Sequence, residues 1–152
     1  MSEKTTLLAF LRAQRASVLA IVDGLGEEAL TTAVLPSGWT PSGMVEHLGD
    51  AEWHWFREIV TGAAGPDPGE HAPRTPAEVF AYYREQCRRS DEIFAATPLS
   101  ATPKGRHPGP LGDEITDLRG VVLHLIEETA RHAGHLDVAR ELLDGRTGLG
   151  PR

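Results

Sequence analysis

A chain of 152 residues, of which 40% are hydrophobic and 24% charged, has a globular composition and can bury roughly two-thirds of its unfolded surface. Its formal net charge of −7, with basic residues scattered along the chain, argues against nucleic acid and an anionic membrane surface as partners. The amino terminus shows no signal-peptide pattern and no run that approaches bilayer-spanning length, so we expect a cytoplasmic protein with a single domain over residues 1–152.

Two helices are predicted in the first half of the chain. The first runs from about Glu3 to Asp23, where leucine and valine recur at helical spacing and Gly24 stands in the usual terminating position. Thr40-Pro41 combines an N-cap with a proline at the first helical position, so a second helix should begin there and continue to about Thr61. The segment 62–74 is rich in glycine and proline and indicates a loop.

Two further helices are predicted in the second half. Thr75-Pro76-Ala77-Glu78 is a capping box with proline in the first turn, and the third helix that it opens should end near Thr97-Pro98. After a second loop over 99–115, the fourth helix runs from about Thr116 to Asp144 and stops at Gly145. With no strand alternation, this pattern predicts an all-α fold, a four-helix bundle, in which metal and ligand sites are usually built from inward-facing side chains.

The apolar stripe of the fourth helix contains two residues of the wrong polarity. The stripe follows steps of three or four along Leu118, Val121, Leu125, Glu128, His132, Leu136, Ala139 and Leu143. Burying a carboxylate and an imidazole is costly unless they are paired or bind a metal. Glu128 and His132 are four apart and therefore stack one turn above the other, so both could reach one ion.

A third ligand could come from the second helix. His47 lies beside the stripe formed by Met44, Leu48, Ala51, Trp55 and Ile59, so it should line a crevice next to the core. Three nitrogen and oxygen ligands would leave one coordination position open, as in catalytic rather than structural sites. One divalent ion is therefore expected, and these ligand types leave zinc, nickel, iron and manganese open.

Plainer interpretations of the same residues stay open. Glu128 and His132 could form an ordinary ion pair on a partly exposed face, and His47 could be a structural histidine. His124 and His135 flank the proposed ligands, so either could replace one of them or orient one through a hydrogen bond. His107, in a loop rich in proline and glycine, is expected in solvent. No catalytic residue is assigned.

Two segments carry a family resemblance. SGWTPSGMVEHLGDAEWHWF and LHLIEETARHAGHLDVARELLDG together resemble the DinB-like superfamily and, more narrowly, its DUF664 branch. The resemblance implies a bundle of the DinB/YfiT-like type that binds a divalent metal through His47, Glu128 and His132. Many relatives have histidine where Glu128 stands, and the glutamate form is similar to the mycothiol-dependent maleylpyruvate isomerase branch.

The resemblance also implies a chemistry, since the superfamily includes enzymes that use mycothiol or bacillithiol in S-transfer or isomerisation. The leading hypothesis is a metal-dependent thiol S-transferase or isomerase, whose partners are a small-molecule thiol and an electrophile. One alternative is a metal-dependent hydrolase, in which the open position holds water and His135 or His124 handles protons. The other is a non-catalytic metal-binding or stress-response protein, with a homodimer as its expected assembly.

Overall fold

The protein, seen in a computed structural model that describes residues 1–65 and 71–148, is built from four long helical segments and two short helices. In chain order these are α1 (Glu3–Val22), α2 (Glu27–Leu30), α3 (Pro41–Glu52) with a π-helical segment (Trp53–Val60) that continues it, α4 (Pro76–Ala96), α5 (Pro110–Glu114) and α6 (Leu118–Asp144). The described ranges contain no strand. The all-α prediction is confirmed, while α5 lies in the segment 99–115 that was predicted to be a loop, and α2 lies between the first two predicted helices.

The caps that marked the helix boundaries are present. Thr40 accepts a hydrogen bond from the backbone of the first turn of α3, and Thr75 and Glu78 form the predicted capping box at the start of α4. Helix α6 begins slightly later than predicted, because Asp117 supplies its N-cap. Gly145 ends it in the left-handed conformation, with φ of 77°.

The long segments pack in pairs and share two core clusters. Helix α1 packs along α6, α3 packs along α4, and α6 also contacts both α3 and the π-helical segment. One cluster is centred on Val18, Leu48, Tyr83 and Leu136. The other is centred on Leu11, Phe56, Phe94 and Leu125. Each cluster contains residues from all four long segments, so both clusters contribute to the packing of α6 against α3 and its π-helical continuation.

The second half of the predicted second helix is π-helical. Its wider turns change which side chains face the core, so Trp55, Phe56, Ile59 and Val60 are all buried. Ala51, expected in the apolar stripe, is only half-buried, and the buried residue beside it is Glu52 at 1% exposure. The segment therefore presents a broader buried face than an ideal α-helix would.

Helix α1 contradicts the expectation that no run approaches bilayer-spanning length. By length and composition it is apolar enough to cross a membrane, and it is the one such helix in the described part of the chain. Leu11 and Val18 on this helix are fully buried, and Arg12 and Arg15 form ion pairs with Asp91. Part of the apolar surface of helix α1 therefore packs inside the fold, with 28% of the apolar stretch buried.

Candidate metal centre

Three side chains from α3 and α6 converge where these helices meet. His47 Nε2 lies 3.1 Å from Glu128 Oε1, and His132 Nε2 lies 3.2 Å from the same oxygen. One potential ligand atom from each residue lies within 4.8 Å of the others. The structure thus brings together the three residues proposed from the sequence.

The three side chains lie at the edge of the core rather than within it. Glu128 and His132 are 22% and 19% exposed, and His47 is 37% exposed. The buried positions at this level of α6 are Thr129 and Ala133. The prediction that Glu128 and His132 belong to the central apolar stripe was therefore wrong, because α1 and α3 cover the adjacent face of α6.

The electrostatics place two of these groups in the protonation state that metal binding needs. The hydrogen bond from His47 and the nearby imidazoles lower the pKa of Glu128, although burial opposes this. Burial lowers the pKa of His132, against the attraction of Glu128. At neutral pH the site therefore offers an ionised carboxylate and a neutral imidazole from α6, and this donor set suits a divalent transition metal.

A cavity of about 740 Å³ opens beside the cluster. His47 and Glu128 form part of its wall. The remaining lining residues are Asp50, Ala51, Trp53, His54, Trp55, Glu58, Gly65, His107, Leu111 and His124. Five of the twelve lining residues are apolar or glycine, and the other seven are histidines or carboxylates, so the cavity is more polar than most small-molecule sites. A ligand in the cavity would have direct access to the proposed metal ligands.

The two flanking histidines of α6 occupy different places. His124 lines the cavity, with its ring 4.7 Å from that of Trp55, and burial lowers its pKa. His135 is half-buried and is not part of the cavity wall. Neither belongs to the cluster of three ligand atoms. The sequence had left both open as ligands or orienting groups.

Sequence reasoning missed a second polar array in the same cavity. His54 lies between Glu58 and His107, with its two ring nitrogens 2.6 Å from Glu58 Oε2 and 2.8 Å from His107 Nδ1. His107 was expected in solvent, but its ring stacks on Trp55 at 4.8 Å. The spacing of His54 and Glu58, four apart on a predicted helix, was the one available signal.

A metal held by His47, Glu128 and His132 should be released by acid. Protons compete with the ion for both imidazoles and for Glu128, so metal affinity should fall as the pH drops through and below the ordinary histidine range, near about 6.5. Because the pKa values of His132 and Glu128 are lowered, protons displace a metal from these two side chains only at a lower pH. Metal content after dialysis at stepwise pH values would measure the loss. Full occupancy well below about pH 5 would contradict two histidine ligands.

The comparison with protein families gives a match over most of the chain. The model described as MST: Mycothiol-S-transferase matches residues 6–145. This range contains all three proposed ligands and confirms the predicted relationship to the DinB-like superfamily. No curated protein matches the chain.

Proposed function

The chain belongs to the mycothiol S-transferase family, and from this we propose that it is a metal-dependent S-transferase or isomerase that uses a thiol of the mycothiol or bacillithiol type. One observation carries the proposal. His47, Glu128 and His132 present ligand atoms within 4.8 Å of one another, and two of them, His47 and Glu128, line a cavity large enough for a small molecule.

In this proposal the three side chains hold one divalent ion, with zinc or nickel favoured and iron or manganese as alternatives. When bound, the ion would supply Lewis acidity that lowers the pKa of a thiol in its open position. The chain's own residues would bind and orient the partners. Trp55 and Leu111 form an apolar part of the cavity wall for the electrophile. The polar groups on the wall include His54, His107 and His124.

The reacting thiol has to come from a cosubstrate. Cys87 is the only cysteine in the sequence. Burial raises its pKa to about 12, so it is held as a thiol at neutral pH and is a poor nucleophile. It is also absent from the residues that line the cavity. This supports a small-molecule thiol as the nucleophile.

A hydrolase is the second candidate function. It is favoured by the position of His124, which lines the cavity one turn before Glu128 and could handle the protons of a water molecule. A non-catalytic metal-binding role does not account for the cavity. The cytoplasmic location, the homodimer and the absence of nucleic-acid and membrane partners stay predictions from the sequence.

A thiol titration of cobalt-substituted protein tests the proposal. Adding mycothiol, bacillithiol or a smaller thiol should produce a sulfur-to-cobalt charge-transfer absorption, because thiolate is a soft, strongly donating ligand. The same thiol should then react with an epoxide or aryl halide faster with wild-type protein than with His47→Ala or Glu128→Gln. The second change keeps the side-chain volume and removes the charge.

Glu127→Gln is the matched control, since Glu127 is the exposed neighbour of Glu128 and lies outside the cluster. It should give the wild-type spectrum and rate. A cobalt spectrum that no thiol changes, at normal metal occupancy, would favour the hydrolase.

A further inference from the structure

Glu58, His54 and His107 form a continuous chain of hydrogen-bonding groups along the wall of the cavity. His54 Nδ1 is 2.6 Å from Glu58 Oε2, and His54 Nε2 is 2.8 Å from His107 Nδ1. Glu58 and His54 come from the π-helical segment, whereas His107 comes from the connection between α4 and α5. All three line the same cavity as His47 and Glu128.

The backbone holds the His107 segment against the π-helical segment. Gly105 N donates to Ile59 O at 2.8 Å, and Lys104 N donates to Val60 O at 3.3 Å. A side chain at position 105 would lie 2.7 Å from the carbonyl oxygen of Glu58, so this close approach needs glycine. A side chain on Gly112 would collide with the carbonyl oxygen of His107. The position of His107 is thus fixed by packing on both sides.

The order of the three groups determines which ring nitrogens carry protons. A carboxylate can only accept a hydrogen bond, so His54 must donate from Nδ1 to Glu58. In a neutral His54 the Nε2 atom then accepts, and His107 must donate from Nδ1. The remaining nitrogen of a neutral His107, Nε2, is left with its lone pair, and it has no protein hydrogen-bond partner within residues 1–65 and 71–148.

We propose that Glu58, His54 and His107 form a proton relay in which His107 is the catalytic base for the thiol. His54 and Glu58 are positioning residues, which fix the tautomer of His107 and stabilise the imidazolium that it becomes. This role rests on the proposed function, because it needs a thiol that enters the cavity beside His47 and Glu128. Glycine at position 105 and the docked segment make the array a built feature of the cavity.

The proton balance closes without a further reactant. The S–H bond of the incoming thiol breaks as His107 Nε2 takes the proton, and the sulfur keeps the electron pair. The sulfur then forms a bond to the carbon of the electrophile while the bond from that carbon to its leaving group, or to the oxygen of an opened epoxide, breaks. That group takes the electron pair; the alkoxide of an opened epoxide receives the proton from His107, whereas a halide leaves as the anion and His107 loses its proton to solvent, and in both cases His107 returns to its starting form.

The surroundings of His107 agree with a base that is neutral before the thiol arrives. Burial lowers the pKa of His107, and the neighbouring His54 and His124 lower it further, against the opposing effect of Glu58. A second metal site does not fit this array, because Glu58 and His107 lie on opposite nitrogens of the His54 ring. A simple surface pair of Glu58 and His54 would leave the docking of His107 unexplained.

The ring tautomers test the relay without any metal or thiol. Nitrogen NMR of histidine-labelled protein should show His54 protonated at Nδ1 and His107 unprotonated at Nε2. In Glu58→Gln the signals of both rings should shift, since the amide no longer fixes the His54 tautomer. Glu92→Gln, a control at an exposed glutamate outside this cavity, should leave both unchanged. A neutral His107 protonated at Nε2 in the wild type would overturn the relay.

Calorimetry tests the role of His107 as the base. Mycothiol is titrated into zinc-loaded protein in buffers of different ionisation enthalpy, which reports the protons released. Wild-type protein should release about one proton fewer per bound thiol than His107→Gln, and kcat/KM of that variant should fall about 10²-fold. His71→Gln, at a histidine outside the cavity, is the matched control and should behave as wild type.

The two proposals can fail separately. Equal proton release by wild type and His107→Gln, with normal thiol binding, would overturn the role of His107 as base and leave the proposed function intact. A wild-type protein that binds zinc but no thiol would overturn the proposed function and, with it, the role of the base. The tautomers of His54 and His107 would still decide whether the relay itself exists.

Discussion

Replacing His132 with alanine should remove most of the metal that the protein carries when it is purified without a polyhistidine tag. His132 and Glu128 are the two proposed ligands from α6, and loss of His132 would leave two, which are insufficient for a tight site. Wild-type protein should contain close to one divalent ion per chain, measured by elemental mass spectrometry. The variant should lose that occupancy and any thiol-dependent turnover, yet keep a helical circular dichroism spectrum.

The fold should survive this change because His132 lies at the edge of the core and is 19% exposed. His135→Ala is the matched control: His135 is on the same helix, is also half-buried and lies outside the ligand cluster. It should retain both metal and spectrum. A His132→Ala protein with full metal content would show that the ligand assignment is wrong, and the three side chains would then form only a hydrogen-bonded group.

The helix boundaries could be predicted because local chemistry fixes them. Thr40, Thr75 and Gly145 satisfy backbone groups at helix ends through their own side chain or their conformational freedom, and this depends on a few neighbouring residues. Helices α2 and α5 have four and five residues, too short for any apolar period to appear. Their formation depends on the rest of the fold.

The grouping of the three proposed ligands could be predicted from the sequence for a similar reason. Glu128 and His132 are placed together by helical spacing alone, and His47 needed only the assumption that its helix packs on α6. The cavity could not be predicted from the sequence. It depends on the π-helical segment, which presents Trp55, and on the segment carrying His107, which docks from far along the chain. No local pattern encodes either contact.

The carboxylate that the sequence places in the core, Glu128, is not the one that the structure buries there. Glu128 was assigned to the apolar stripe but is 22% exposed, whereas Glu52, which the sequence did not single out, is 1% exposed. A helical wheel gives the spacing of polar residues but does not define which part of a wide stripe the neighbouring helices cover. The partner that makes the burial of Glu52 tolerable is on α1, 37 residues earlier.

That partner, Arg15, should be one of the most sensitive positions for stability. Its guanidinium donates from Nε and Nη2 to the two carboxylate oxygens of Glu52, at 2.7 Å each, and from Nη1 to Asp91 at 2.7 Å. Burial would lower the pKa of Arg15, but the charge and hydrogen bonds of Glu52 outweigh this and raise it. The group ties α1, α3 and α4 together in the interior of the fold.

Arg15→Met should therefore lower the free energy of unfolding by about 3–5 kcal/mol, since it leaves the carboxylate of Glu52 buried without its counter-charge. Urea denaturation of metal-free protein would measure this. Arg12→Met is the matched control: Arg12 is also on α1 and also pairs with Asp91, but its side chain is 59% exposed, so the change should cost less than about 1 kcal/mol. The double variant Arg15→Met/Glu52→Met should recover much of the loss, because it removes both buried charges. If Arg15→Met were no more destabilising than Arg12→Met, the buried pair would not be a significant source of stability.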